Sequence, residues 1–358
     1  MEEPGNVRII DIARLAGVSV GTVDRVLHKR GNVSEEKRTK VEAVLKEINY
    51  EPNLVARVLA SKKTYSLAAI IPSFFLGDYW GMIYEGINKA IDELKKFNVA
   101  LSFYYFDQYD PVTFAQQSEQ LLGNDHDGVL IATHFEGLAI YLSDQLAKTG
   151  KPFIYIDSDI PGQRRLAYFG ADSFVSGVIL AKLMAENFRN DFDIITMYIK
   201  YKRSEVSIQM RQREQGFMKQ LDQEGFAGKI HRIEFDPDDE QAAVDRLRQL
   251  LAATERPVGG IVFNSRIYEF ARMLYNLEPE LRQKCVLYGL DAIPKNVNGL
   301  KNDEVKVLLS QRPELQGYDS IKALGNYLLM KQTPDPVNYM PLDILIRDNI
   351  DYYKNYKL

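Results

Sequence analysis

Cysteine is almost missing. The 358 residues hold one, Cys285, so no disulfide can form within the chain and a disulfide-stapled scaffold is excluded. Histidine is scarce too: residues 28, 126, 134 and 231 are scattered and show no zinc-ligand spacing. Apolar runs such as Leu67 to Ile71 fall far short of a membrane span. The opening Met1-Glu2-Glu3-Pro4 lacks the basic-then-apolar pattern of a signal peptide, so a soluble, cytoplasmic protein with no membrane partner is expected. A net charge of −4 excludes a basic nucleic-acid coat. There is no G-x-G-x-x-G, P-loop, G-x-S-x-G or H-E-x-x-H, and no pair of groups resembles a nucleophile with its base. Asp236 to Glu240 is acidic without the EF-hand rhythm and reads as a loop into a helix. The expectation is therefore no enzyme, no cofactor and no metal. What remains is an ordinary globular composition, 46% hydrophobic and 26% charged. It is long enough for two or three domains.

Charge is unevenly placed. Residues 1–62 balance at +2 and the rest at −6, with six basic residues between Arg25 and Lys40. A locally basic head on an acidic body points to a head that meets a polyanion, the plainer alternative being a solvated helical face. Periodicity over the head is helical. Ile9, Ile12, Ala13 and Ala16 form one apolar face before Gly17; Ser19 stands at an N-cap before Val23, Val26 and Leu27. A third helix starts at Ser34 with the face Val41, Val44, Leu45 and Ile48. Three short helices with a glycine turn make a helix-turn-helix unit or an inert bundle. In the first case the second helix lays its N-terminal side chains in the DNA major groove.

The run Val7-Arg8-Ile9-Ile10-Asp11-Ile12-Ala13-Arg14-Leu15-Ala16-Gly17-Val18-Ser19-Val20-Gly21-Thr22-Val23-Asp24-Arg25-Val26-Leu27, with Val33-Ser34, Val41-Glu42 and Asn49-Tyr50-Glu51-Pro52-Asn53, resembles the headpiece of the lactose-repressor/galactose-repressor (LacI/GalR) family. The resemblance implies that Val20, Gly21 and Arg25 occupy base-reading positions, and that Ser19 and Thr22 lie near phosphates. Arg25 can bridge guanine O6 and N7, or bind phosphate alone. Val20 can touch a thymine methyl, whereas Gly21 offers no side chain. Asp24 either accepts from cytosine N4 or pairs with His28 one turn on; the pairing is favoured. Arg8 stands where a hydroxyl cap is common, so the first helix is expected to be less well capped. Residues 53–60 are too few for a stable isolated helix. The resemblance makes them a hinge that becomes helical on the minor groove, where Leu59, beside Ala60, wedges between base steps. A body that changes the spacing of two hinges then controls DNA affinity.

From Ser66 onward short apolar runs alternate with amphipathic stretches. Strands are read at Leu67–Ile71, Ala100–Phe106, Gly128–Ala132, Phe153–Ile156, Ile194–Ile199, Gly260–Phe263 and Cys285–Gly289, with helices between, such as Tyr79–Phe97, Phe174–Asn187 and Val206–Gln223. That alternation means parallel sheets with helices on both faces, in two lobes, and ligands at the strand ends that face a cleft. This body resembles the sugar-binding core of the same repressors and of periplasmic ribose-binding proteins. The implied fold is a small all-α helix-turn-helix headpiece plus an α/β periplasmic-binding-protein type I core of two doubly wound parallel-sheet lobes. The boundaries read are headpiece 1–52, hinge and linker 53–65, and core 66–358. Lobe 1 takes about 66–168 and 312–332, and lobe 2 about 169–311 and 333–358.

The same resemblance implies ligand-binding roles for Tyr79, Trp80, Asp157, Arg213, Asn264, Asp291 and Gln311. Carboxylates accept from vicinal hydroxyls, Arg213 and Asn264 donate, and an aromatic face covers the apolar side of a sugar ring. A lone aspartate is more often a cap; Asp172 is read that way. Trp80 is left between ring-stacking and core, and Phe103-Tyr104-Tyr105-Phe106 is read as strand packing. Ser265 stands where the family commonly has aspartate. Lys200-Tyr201-Lys202-Arg203 and Arg164-Arg165 suit a phosphorylated or acidic sugar, or are solvated surface. The whole implies a homodimeric, sequence-specific regulator on an inverted-repeat operator in double-stranded DNA, controlled by a mono- or oligosaccharide or a sugar phosphate. Repression relieved by the effector is the expected direction, with activation or corepression open. A solute-binding protein indifferent to DNA, and an enzyme on this scaffold, are the competing readings.

Overall fold

A computed structural model describes residues 8–27, 30–48, 50, 63–189, 191–200 and 206–353. The chain divides into two compact units, one within residues 1–60 and one within 61–358.

The first unit is three helices: α1 (Ile9–Ala16), α2 (Val20–Leu27) and α3 (Glu35–Glu47). Its core is small. Ile12, Val23 and Val41 are fully buried beside Ala13 and Ala16, and Val26, Val44, Leu45 and Ile48 pack around them. These are the positions that the i, i+3, i+4 spacing singles out. Gly17 ends α1 at φ +62°, a left-handed residue that only glycine adopts freely, and this turns the chain into α2. Arg8 supplies no side-chain cap to α1, as its side chain cannot accept; instead its backbone N–H donates to Asp11 at 3.2 Å.

In the second unit two six-stranded sheets are each covered by helices. The first sheet holds β1 (Tyr65–Pro72), β2 (Val99–Phe106), β3 (Gly128–Ala132), β4 (Phe153–Ile156), β5 (Ala167–Gly170) and β11 (Val337–Tyr339), all parallel, in the order β11-β5-β4-β3-β1-β2. The second holds β6 (Asp193–Ile199), β7 (Ile230–Phe235), β8 (Val258–Ile261), β9 (Cys285–Leu290), β10 (Val305–Ser310) and β12 (Asp343–Leu345), in the order β12-β10-β9-β8-β6-β7, with β12 antiparallel. Central strands such as β3 are buried at every residue. Burial on both faces explains why they read as continuous apolar runs rather than alternation.

The chain passes between lobes three times, after β5, after β10 and after β11. The third crossing corrects the sequence reading, which placed all of 333–358 in lobe 2. Val337–Tyr339 pairs with Tyr168–Gly170 in the first sheet, and only then does the chain return to the second. A three-residue edge strand carries too little periodicity to announce its sheet. Strand β8 likewise begins at Val258, two residues before the expected start, because Gly259 and Gly260 weaken the apolar signal.

One helix pair in each lobe crosses at backbone contact. In lobe 1, α4 (Tyr79–Leu94) meets α13 (Pro313–Met330). A Cβ on Gly86 would lie 1.9 Å from the Glu314 carbonyl oxygen, and one on Gly317 2.2 Å from that of Ile83. In lobe 2, α7 (Ser173–Phe188) meets α8 (Ile208–Gln223) in the same manner through Gly177 and Gly216. Asp172 caps α7, its carboxylate accepting from Val175 N–H at 2.9 Å, as expected of it. Among the described residues no helix is long and apolar enough to cross a membrane, and no group of three His, Cys, Asp or Glu is placed to hold a metal.

Candidate functional site

Two surfaces carry the candidate residues, one in each unit. In the first unit Ser19 caps α2. Its hydroxyl accepts from Thr22 N–H at 3.2 Å and lies 2.9 Å from the Thr22 hydroxyl. Val23 is buried, and this turns Ser19, Val20, Gly21 and Arg25 to the exposed face while Thr22 is half-buried. Val20 is 46% exposed. A Cβ on Gly21 would meet only the Ser19 hydroxyl, at 4.0 Å, so this position leaves room for an approaching surface. Leu59 and Ala60, with the proposed hinge, lie outside the described residues, as does His28, the partner read for Asp24.

In the second unit a cleft of about 260 Å³ opens where the C-terminal ends of the two sheets face each other. Tyr79, Trp80, Asp157, Asn264 and Asp291 line it. Each follows from topology: Asp157 ends β4, Asn264 follows β8, Asp291 ends β9, and Tyr79 and Trp80 open α4. Trp80, 7% exposed, stands edge-on to Tyr79 with ring centroids 5.5 Å apart. Arg213 and Gln311 are not in the lining. They lie directly behind it and bond to the residues that are.

Those bonds form one buried chain across the lobes. Tyr79 donates its hydroxyl to Asp157 Oδ1 at 2.7 Å. Gln209 Nε2, from the other lobe, donates to the same oxygen at 2.6 Å. Gln209 Oε1 accepts from Arg213 Nη1 at 2.8 Å. Arg213 Nη2 reaches Gln311 Oε1 at 3.1 Å, and Gln311 Nε2 donates to Asp291 Oδ1 at 3.1 Å. Arg213 also bonds the Phe263 carbonyl at 3.1 Å and the Ser176 hydroxyl at 3.2 Å. It is 1% exposed. Asn264 spends its carbonyl on Arg266 N–H at 3.0 Å and turns its amide to the weakly accepting Met210 sulfur, 3.8 Å away. Its N–H donors are thus set for a better acceptor.

One guanidinium therefore stands among two buried carboxylates. Burial raises the pKa of Asp157, with Tyr79, Arg213 and Gln209 opposing the rise. Burial also lifts Asp291 to about 7, against Arg213 and Gln311, and the charge of Asp157 adds to it. Burial holds His134 at about 4, so the cleft imidazole is neutral at pH 7. The linkage has a definite sign. A carboxyl raised from its usual range to about 7 contributes stability at low pH that is lost as pH rises toward 7, up to tenfold in the equilibrium constant per unit. The melting temperature is expected to fall between pH 5 and 7, and Asp291→Asn to flatten that slope. Thermal melts of both proteins across this range check it, and a slope unchanged in the variant contradicts it.

Sequence reading did not find Gln209, Met210, Gln108, Tyr109, Arg232 or Arg266, all of which line the cleft. Arg232 lies over the Tyr198 ring, 3.7 Å from its centroid, and Arg266 reaches Tyr109 of the opposite lobe at 5.6 Å. Lys200 lines the cleft and pairs with Glu234 at 3.0 Å. The rest of the basic run read there, residues 201–203, lies outside the described residues. Arg165 is held by Asp159 and is not in the lining. Of the aromatic run in β2, Tyr104 and Phe106 pack inward, while Phe103 and Tyr105 stack on the other face.

Residues 8–53 match the model of bacterial regulatory proteins of the lacI family, and residues 68–332 match a periplasmic binding protein domain. The chain belongs to the lacI family of bacterial regulatory proteins. It carries the family's helix-turn-helix headpiece and a body of the periplasmic-binding-protein type I fold. A candidate LacI transcriptional regulator from Bacteroides fragilis is 31% identical over 81% of this chain and all of its own, with a TM-score of 0.76. Catabolite control protein A of Streptococcus mutans is 40% identical over 102 residues, 28% of this chain and 30% of that protein. The chain thus matches about a third of the length of such curated family relatives. A solute-binding protein from Burkholderia graminis in complex with D-arabinose shares the fold, at 20% identity over 81% of this chain and 98% of its own and a TM-score of 0.68.

Proposed function

We propose that this protein is a homodimeric transcriptional regulator that binds an inverted-repeat operator through Ser19, Val20, Gly21, Thr22 and Arg25, with Leu59 and Ala60 in the minor groove. A small carbohydrate in the cleft controls its affinity for DNA. The observation that carries this reading is the bonded chain Asp157–Gln209–Arg213–Gln311–Asp291 in a chain with a lacI headpiece. Its carboxylates accept from hydroxyls, and Asn264 donates. Its members come from both lobes, so a ligand that competes for Asp157 or Asp291 changes how the lobes are held. Relief of repression is the direction favoured. The volume suits a monosaccharide or its phosphate better than an oligosaccharide. The cleft reads as a sensor rather than a catalyst.

Dimerisation has a candidate surface. On edge strand β2, Phe103 and the 39% exposed Tyr105 stack together, and Phe74 and Tyr84 extend the aromatic patch. Such a stripe on a sheet edge calls for a partner, here a second copy.

Trp80 is the single tryptophan and lines the cleft, so its fluorescence reads occupancy directly. Titration with monosaccharides and their phosphates is expected to give one saturable signal, lost in Asp157→Ala, with DNA binding intact in the variant. An unchanged titration in that variant overturns the cleft assignment.

A further inference from the structure

The two cleft aspartates share a backbone peculiarity. Asp157 has φ +75° and Asp291 φ +64°, one at a strand end in each lobe. A non-glycine residue stays in this region only where its surroundings hold it there. In both lobes the amide on one side is fixed to the neighbouring strand: Asp157 N–H donates to the Phe169 carbonyl at 3.1 Å, and Asp291 N–H to that of Leu309 at 2.9 Å.

The carbonyl on the other side is held by a buried side chain that does not line the cleft. In lobe 1 the Tyr168 hydroxyl lies 3.1 Å from the Asp157 carbonyl oxygen and 2.9 Å from that of Ala171, sharing one proton between them. Gly170 leaves the space for that hydroxyl, since a Cβ there would lie 2.2 Å from it. In lobe 2 Asn296 Nδ2 donates to the carbonyls of Asp291 at 3.0 Å, Leu290 at 2.8 Å and Ser265 at 2.9 Å. Its Oδ1 accepts from Tyr268 N–H at 3.3 Å, so it ties the Asp291 turn to the loop that carries Asn264. Tyr168 is 2% exposed and Asn296 is fully buried.

We propose that Tyr168 and Asn296 are positioning residues of the cleft, each clamping one strand-end aspartate in its left-handed conformation and so fixing where its carboxylate meets a ligand. The ligand half of this statement rests on the cleft reading above; the backbone half does not.

The test is a pair of double-substitution cycles in the full-length protein. Tyr168→Phe removes one hydroxyl and is expected to lower the melting temperature by about 2–4 °C. In an Asp157→Gly background the loss should shrink to less than half, because glycine adopts this conformation without support. Asn296→Ala also loses the bonds to Leu290, Ser265 and Tyr268, so in an Asp291→Gly background its loss should shrink only by the part owed to the Asp291 carbonyl. Equal losses in both backgrounds overturn the clamp and leave two merely packed residues. The second readout is Trp80 fluorescence with D-ribose, D-arabinose, D-glucose and D-galactose, well below the melting temperature. Any sugar taken by the wild type should bind about tenfold more weakly to Tyr168→Phe; unchanged affinity overturns the positioning role. If the wild type takes none of the four, the sugar reading fails for those probes, and the glycine cycles still decide the clamp.

Discussion

Methionine in place of Arg213 is expected to cost about 3–5 kcal/mol of folding stability, a large share of the roughly 5–15 kcal/mol a domain possesses. The guanidinium bonds to Gln209, Gln311, Ser176 and the Phe263 carbonyl, and is the positive neighbour of both buried carboxylates. Its removal leaves Asp157 and Asp291 without that charge and four acceptors short of a donor. Breaking such a group costs more than the group is worth as a net contribution, because the partners stay buried. Urea unfolding measures the loss. Asp291→Asn in the same chain should recover part of it only as pH rises above 7, where the Asp291 carboxyl begins to carry a charge that no guanidinium offsets. An unfolding free energy within about 1 kcal/mol of wild type would show that Arg213 does not hold the lobes.

Alanine at Gly216 is expected to cost at least about 2–3 kcal/mol, at the upper end of overpacking effects. Its Cβ would lie 2.0 Å from the Phe174 carbonyl oxygen, which is backbone of α7 and cannot rotate aside. The two helices must separate, and Gly177, whose own Cβ would sit 2.0 Å from the Arg213 carbonyl oxygen, shows that they meet at the turn bearing Arg213. The change should therefore weaken both the fold and the Trp80 response to ligand. A methyl group added at Gly137 in α6 (Glu136–Lys148) would have nothing within 4 Å, so Gly137→Ala is the control, expected neutral or slightly stabilising. Thermal melts of the two variants side by side decide it; equal midpoints would contradict the close crossing.

These two residues show what sequence can and cannot yield. The headpiece helices were legible because their apolar faces are local, and its buried residues are those the helical spacing selects. Strands β3 and β4 were legible to the residue because full burial makes a continuous apolar run between breaks. The resemblance pointed to Asp157 and Asp291, which the structure brings to one cleft. Gln209 was not legible. It lies one turn before Arg213, and its bond to Asp157 spans 52 positions between lobes, so nothing local distinguishes it from a surface glutamine. Arg232 sits on edge strand β7, whose mixed pattern hides both the strand and its place at the cleft. Tyr168 and Asn296 were hidden for a related reason. Their work is a hydrogen bond to a backbone whose conformation only the folded chain reveals.

On the proposed function, the exposed face of α2 reads DNA. Genomic fragments bound by the purified protein at about 0.15 M salt, compared with those bound by Arg25→Ala, test it most directly. A small set of inverted-repeat sites is expected for the wild type and their loss for the variant, a base-contacting arginine accounting for about 1–3 kcal/mol of discrimination. No enrichment by the wild type, or the same sites recovered by both proteins, would contradict the account.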